Sequence, residues 1–338
     1  MQKSDRIYIL KGLSIVSVVC AHIAYDTSEC FTEQIALNLL NTIGSIGVIV
    51  FLLIAGYLFS FNQDSYAVFW KKKWRHLVLP WIFCGTLVYL QCFSLWNFHN
   101  WDFWFEENIK AFDLKDYITY LVGGGSFYYY MTMLLFCFSV FGFINREKNV
   151  SLYIIIMLIW IFFMRSSVYN SETPYMDPKN WVGYFGVGIY LGIRWKPLKE
   201  RFQKVFQKTR LIIVAFDMFL LIYLSYKGYV MSYWNKFFLP FIILQVMGCW
   251  HISIWIENKT RLIKRILIEW GKDSFYIYLL HMLIQSVPVK YLSGFGAIGI
   301  LVRPFFMITL VDAGIRLFRF MIIKFGAGIQ KMPHKQKG

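Results

Sequence analysis

Long apolar stretches recur along the whole chain, and they limit what it can fold into more than any other feature does. Stretches of roughly 17 to 25 mostly apolar residues have the length that an α-helix needs to cross a bilayer. We therefore predict an all-α polytopic membrane protein with about ten transmembrane helices. The predicted spans are residues 7–25, 43–61, 77–95, 127–144, 151–164, 181–193, 211–226, 237–256, 275–291 and 297–320.

The composition supports a membrane environment. Hydrophobic residues make up 58% of the chain and charged residues only 16%, which leaves too little polar surface to cover a soluble protein of this size. The net charge of +16 comes from short basic runs between apolar stretches, as expected of loops beside an anionic membrane face. We therefore expect the lipid bilayer as a partner and no nucleic acid.

The distribution of lysine and arginine predicts the orientation. If the ten stretches alternate across the membrane, one set of loops holds about 23 basic residues and the opposite set about seven. Loops rich in basic residues face the cytoplasm. Both termini are thus predicted to be cytoplasmic, with a single membrane domain over residues 1–323 and a basic cytoplasmic tail over residues 324–338.

Two connections between predicted spans have distinctive patterns. Residues 96–125, on the outer side, alternate aromatic and acidic residues, which fits either an interfacial helix or a lip that stacks a sugar ring. Residues 194–210, on the inner side, form a basic amphipathic segment. Its partner is either anionic lipid or the phosphate of a cytoplasmic ligand.

Two ionisable residues lie inside the first predicted span, where charge is costly and often functional. Lys11 and His22 are eleven residues apart, and eleven helical steps of about 100° return to nearly the same face, with a rise of about 16 Å. Both side chains are therefore predicted to point into one cavity, with Asp26 one turn further on to orient the imidazole. The alternative is a snorkelling lysine and an interfacial histidine.

His281 lies near the middle of the ninth predicted span, where a histidine either acts in chemistry or is satisfied by a neighbouring helix. The sequence contains no nucleophile elbow, phosphate loop or cluster with metal-ligand spacing. No metal is therefore predicted, and any chemistry is expected to centre on histidine.

Five segments, in order, resemble those of the membrane acyltransferase-3 family. They are DRIYILKGLSIVSVVCAH, VIVFLLIAGYLF, FWKKKWRHLVLPWI, GYFGVGIYLG and GKDSFYIYLLHMLI. The first carries a basic residue, glycine and, ten residues after the glycine, histidine, at Lys11, Gly12 and His22. The chain departs from the family where Lys11 replaces the common arginine and Ala55 replaces a serine. Lysine at the first position is similar to the sugar O-acetylase branch.

The resemblance implies an O-acyltransferase of a bacterial-type inner membrane. Such an enzyme moves an acyl group, most often acetyl, from cytoplasmic acyl-CoA to a carbohydrate hydroxyl at the outer face. Acetyl-CoA is then the donor substrate, with Lys72, Lys73 and Arg75 at its phosphates and Lys11 along its arm. His22, held by Asp26, would act as general base or carry the acyl group briefly, and His281 would be a second acid/base or acceptor-positioning residue.

Two other functions stay open on the sequence. A polysaccharide or lipid-linked sugar exporter would also use about ten spans, although no matching repeated halves are evident. A membrane scaffold without catalysis would make Lys11, His22 and His281 important for folding only. The identity of the acceptor glycan is beyond these patterns because family resemblance sets the reaction class and not the pocket.

Overall fold

The computed structural model describes residues 5–23, 28–92, 113–124, 126–142, 174–229, 238–259 and 261–330. These residues are helical or form turns, and they contain no β-strand. The α-helices are α1 Asp5–Ile23, α2 Phe31–Gly44, α3 Gly47–Phe59, α4 Tyr66–Lys73, α5 Leu79–Cys92, α6 Leu114–Val122, α7 Tyr129–Gly142, α8 Val182–Tyr226, α9 Leu239–Lys259, α10 Arg261–Leu280, α11 Ser286–Leu292 and α12 Gly296–Gln330. A π-helical turn, Trp74–Val78, joins α4 to α5, and a 3₁₀ turn, His281–Ile284, follows α10.

Five helical segments in this part of the chain are long and apolar enough to cross a membrane. They are Asp5–Ile23, Phe31–Phe59, Lys208–Tyr226, Leu239–Asn258 and Ser286–Ile322. The prediction of an all-α membrane protein is confirmed at this level. Ten spans and two cytoplasmic termini stay predictions, and the predicted span over residues 151–164 lies outside the described residues.

The second apolar segment begins earlier than the sequence indicates, at Phe31 instead of residue 43. Polar side chains dilute the apolar pattern of α2, but they find partners within the helix bundle. Gln34 donates to Asn38 Oδ1 at 3.0 Å, and Asn38 Nδ2 donates to the carbonyl of Ser225 at 3.1 Å. Because these groups are satisfied by protein, the helix tolerates them in an apolar setting.

Helix α8 combines the sixth and seventh predicted spans in 45 residues. Gly188 packs on the backbone of Tyr57 in α3, while Ser225 contacts Asn38 in α2. A straight helix would separate residues 188 and 225 by about 55 Å, whereas residues 38 and 57 are at most about 30 Å apart at 1.5 Å per residue. Helix α8 is therefore not straight over its whole length, and both predicted spans contact α2 or α3.

Helices α1 and α10 run side by side in the same direction, and this packing positions the candidate site. Asp5 and Lys264 form an ion pair of 2.8 Å near the starts of the two helices. Gly12 and Gly271 let the backbones approach so closely that an added Cβ would lie 2.4 Å from Leu267 O and 1.9 Å from Tyr8 O, respectively. Small residues allow such close approach between apolar helices.

A tight turn between α6 and α7 presents Phe127 to the interior. Asp113 caps the start of α6 by accepting from Lys115 N at 3.0 Å, and Gly123 ends the helix in the left-handed region with φ of 98°. Ser126 Oγ then donates to the carbonyl of Tyr120 at 2.6 Å. The chain is thus folded back against α6 before α7 begins at Tyr129.

Candidate active site

Two imidazole rings meet at the far ends of α1 and α10. His22 is in the last turn of α1 and His281 is the first residue of the 3₁₀ turn after α10, and their ring centroids are 5.0 Å apart with planes inclined by 47°. His281 is fully buried and His22 is half-buried. The parallel packing of the two helices therefore brings together two groups that are distant in sequence.

The hydrogen bonds of His281 define its tautomer. Its Nδ1 lies 2.8 Å from the carbonyl oxygen of Tyr278 and 3.2 Å from that of Ile277. A carbonyl oxygen only accepts, so Nδ1 carries the proton, and in the neutral ring Nε2 bears the lone pair. This Nε2 is buried and has no hydrogen-bond partner among the described residues. The ring is therefore a base held in one orientation.

The carbonyl of His22 is also held in place. Gln285, which is 8% exposed, donates from Nε2 to His22 O at 2.9 Å. This bond connects the end of α1 to the segment that follows His281. Because this bond joins the two chain segments that carry the histidines, it holds the imidazoles at a fixed separation.

Aromatic side chains enclose the imidazole pair. The ring centroid of Phe127 lies 5.7 Å from that of His22 and 5.0 Å from that of His281, in edge-to-face contacts. Tyr278 packs 5.8 Å from Phe127 and 6.1 Å from His281. Such ring arrangements are favourable.

Two reciprocal hydrogen bonds hold this enclosure together. The hydroxyl of Tyr278 donates to the carbonyl of Phe127, and the hydroxyl of Tyr128 donates to the carbonyl of Leu279 at 2.9 Å. Each segment thus supplies one donor and one acceptor to the other. The turn before α7 and the end of α10 are consequently fixed with respect to each other.

A cavity of about 280 Å³ lies beside the enclosure and carries two cations. Lys11 and Lys73 line it, together with the polar side chains of Asn62, Ser274 and Tyr130. Tyr278 lines the same cavity and also contacts His281, so one aromatic ring separates the cationic cavity from the imidazole pair. A negatively charged ligand fits this distribution of charge.

The basic residues after α3 differ in their surroundings. Lys73 lines the cavity, with its Nζ 4.4 Å from the ring centroid of Phe138, an arrangement that favours a cation. Lys72 is exposed and forms an ion pair with Asp64 at 2.8 Å, and Arg75 is exposed in the π-helical turn. Of the three predicted phosphate ligands, only Lys73 shares a cavity with Lys11.

A second cavity, of about 310 Å³, lies near the start of α1 and is mostly apolar. Its cation, Arg6, forms an ion pair with Glu257 and lies 5.3 Å from the ring centroid of Trp250. Ile54 lines both cavities, so they are separated by a thin apolar wall. The guanidinium is engaged by a carboxylate, and the lining of this cavity is mostly apolar.

The sequence identified some of these residues and missed others. Asp26, predicted to orient His22, lies outside the described residues. Phe127, Gln285 and Tyr278 were missed as parts of the site, although Tyr278 falls within the segment that carries His281 and Phe127 follows a run of glycines.

The described residues contain no group of three or more His, Cys, Asp or Glu side chains arranged to hold a metal ion.

The fold and the site together define a helical membrane protein with a buried pair of imidazoles beside a cationic cavity. The family model Acyl_transf_3, described as an acyltransferase domain, matches residues 5–311. The chain therefore belongs to this acyltransferase family, and the resemblance noted in the sequence is confirmed at the level of the family. No curated protein and no solved structure matches the chain.

Proposed function

We propose that this membrane acyltransferase moves an acetyl group from acetyl-CoA, bound from the cytoplasm, to a hydroxyl of a cell-surface carbohydrate. The proposal includes a bacterial-type inner membrane with the start of α1 at the cytoplasmic face. The observation that carries it is the position of Tyr278, which lies between the cavity of Lys11 and Lys73 and the imidazole pair. In this proposal the anionic donor binds on one side of the Tyr278 ring and the basic imidazoles act on the other.

The donor would enter with its narrow pantetheine arm in the cationic cavity. Lys73, at the end of α4, would bind a phosphate oxygen of the donor. Lys11, on α1, would attract the donor to the same cavity. Lys11 and His22 are separated by a rise of about 16 Å, which is of the same order as an extended pantetheine arm. The thioester carbonyl would then reach the enclosure of Phe127, Tyr278 and the two histidines.

The transfer itself requires one base and one acid. His22 takes the proton from the acceptor hydroxyl while that oxygen attacks the thioester carbonyl carbon. The carbon–sulfur bond then breaks, and the leaving thiolate takes the proton from the His22 imidazolium. The products are an ester of the carbohydrate and the free thiol of coenzyme A, so atoms and charge balance.

His281 supports this step through its fixed tautomer. Its Nδ1 proton is donated to backbone carbonyls, which leaves a lone pair at Nε2. The centroid of this ring lies 5.0 Å from that of His22. When His22 becomes positively charged in apolar surroundings, a neighbouring neutral base lowers the cost of that charge. We assign His281 to stabilising the imidazolium and orienting the acceptor.

The experiment uses the purified full chain in proteoliposomes, with labelled acetyl-CoA and the surface polysaccharide of the cells that express it. His22→Ala should lower ester formation by about 10²- to 10⁴-fold, because that is the usual contribution of a positioned general base. His76→Ala is the matched control, since His76 is exposed in the π-helical turn and lines neither cavity.

Unchanged transfer by His22→Ala, with normal membrane insertion, would overturn the assigned role of His22. If wild-type vesicles move polysaccharide without acyl-CoA and form no ester, the transfer function itself is wrong and an exporter is the better account. Mass analysis of the polymer reports the acyl group and the acceptor hydroxyl in one measurement.

A further inference from the structure

The ring of Phe127 lies next to both imidazoles, where the carbon chain of the donor would lie in the proposed transfer. An acceptor hydroxyl must come within about 2.6 to 3.2 Å of a basic nitrogen, and its oxygen must lie about 3 Å from the thioester carbonyl carbon. The carbon atoms beyond that carbonyl consequently fall within a few ångströms of the imidazole edges. Phe127 makes edge-to-face contact with both imidazoles and is 6% exposed.

We propose that Phe127 sets the length of the acyl group that the enzyme transfers, and that it limits the donor to acetyl-CoA over longer acyl-CoA esters. This inference rests on the proposed function. It adds a specificity-determining residue to that function, in a segment whose sequence contains no charged side chain.

The position of Phe127 is rigid, and a length limit requires rigidity. Its carbonyl accepts the hydroxyl of Tyr278, and the hydroxyl of Tyr128 donates to Leu279 O at 2.9 Å. On the preceding side, Ser126 Oγ donates to Tyr120 O at 2.6 Å. The backbone is thus anchored on both sides of the ring. A longer acyl chain cannot gain room by moving this segment without breaking hydrogen bonds between buried groups.

Neighbouring rings prevent the side chain of Phe127 from turning aside. Tyr128 lies 4.2 Å from it and Tyr278 lies 5.8 Å from it, measured between ring centroids. Closely packed interiors accommodate an added methylene poorly. Each added methylene is therefore expected to meet the ring of Phe127.

The test compares acetyl-, propionyl- and butyryl-CoA as donors with the same polysaccharide acceptor, and it measures both released thiol and ester mass. The wild-type enzyme should prefer acetyl over propionyl by about 10- to 200-fold in kcat/KM, the range for one methylene in a shaped pocket. Phe127→Leu should lower the ratio of acetyl to butyryl by at least about tenfold, chiefly through a gain with butyryl-CoA.

The matched control is Phe141→Leu. Phe141 is also a buried phenylalanine, 4% exposed, but its ring packs 5.3 Å from Phe185 and makes no described contact with the histidines. This variant should keep the wild-type ratio. A ratio that falls equally in both variants would indicate general loosening of the core and would overturn the assignment.

Three further outcomes separate this inference from the function on which it rests. If the wild-type enzyme transfers acetyl and butyryl equally well, the assigned role of Phe127 is wrong. This result does not depend on whether any variant folds. An active Phe127→Leu variant with an unchanged ratio of acetyl to butyryl transfer also overturns that role. Wild-type enzyme that forms no ester from any of the three donors overturns the proposed function instead.

Discussion

Replacing Gly271 by alanine tests whether the packing of α1 against α10 positions the two histidines. An added Cβ at this position would lie 1.9 Å from the carbonyl oxygen of Tyr8, although real Cβ contacts essentially never fall below 3.0 Å. The obstacle is the backbone of Tyr8 in the first turn of α1, so no flexible side chain can move away. The two helices must therefore separate by at least about 1 Å, an overpacked arrangement of the kind that costs about 1–3 kcal/mol.

This separation should be transmitted to the site, because each histidine lies at the end of one of the two helices. His281 is ten residues beyond Gly271, about 15 Å along the axis, and His22 is fourteen residues beyond Tyr8, about 21 Å along the axis. A misplacement of about 1 Å in a reacting group can lower a rate by about 10²-fold. We expect Gly271→Ala to lower kcat for ester formation by about 10- to 100-fold.

The assay measures kcat with labelled acetyl-CoA and the melting temperature of the same preparation. Gly314→Ala is the matched control, because Gly314 is also a helical glycine and an added Cβ there meets nothing within 4 Å. That variant should keep its activity and gain slightly in stability, since alanine is the better helix former by about 0.5–1 kcal/mol. If Gly271→Ala is destabilised and yet fully active, the contact stabilises the fold without positioning the histidines, and the reasoning above is refuted.

Lys73→Ala should raise the KM for acyl-CoA by about 10- to 100-fold, as expected when a charged hydrogen bond worth about 1.5–3 kcal/mol is lost. Lys72→Ala removes only an exposed ion pair and should change KM by less than about threefold. If both variants raise KM equally in initial-rate assays, the assignment of the donor to the cavity of Lys11 and Lys73 is contradicted. Tyr128→Phe leaves the carbonyl of Leu279 buried without its donor, so the free energy of unfolding should fall by about 1–3 kcal/mol. A detergent titration that shows no loss of stability would exclude the reciprocal tyrosine bonds as a stabilising element.

The sequence predicted the class of fold because apolar length is a local property. A helix in lipid satisfies its backbone internally, so the helical state follows directly from the composition of each stretch. The start of the second span was misjudged because Gln34 and Asn38 find partners within α2 and on α8. Such partners depend on which helices become neighbours, and hydropathy along one segment contains no information about them.

Spacing alone predicted only part of the candidate site. The eleven residues between Lys11 and His22 predicted that both side chains point into one cavity, but Lys11 lines the cationic cavity and His22 lies beside His281, with Tyr278 between them. The contact between the two histidines could not be predicted, because it arises from the parallel packing of helices about 260 residues apart in sequence. Phe127 gave no signal either, as one of 33 phenylalanines in the chain.

The aromatic enclosure also bears on a competing reaction that any acyltransferase with this layout has to suppress. A thioester beside a basic imidazole is open to attack by water, which would release the acyl group without modifying a carbohydrate. His281 is fully buried, Phe127 is nearly so, and Tyr278 is 3% exposed, so the rings leave little room for water around the His281 imidazole. The same side chains are those proposed to restrict the acyl group. An enlarged pocket should therefore lose some of its preference for a sugar hydroxyl over water at the same time as it gains activity with longer donors. Both changes have one cause, the packing of Phe127 against the imidazoles.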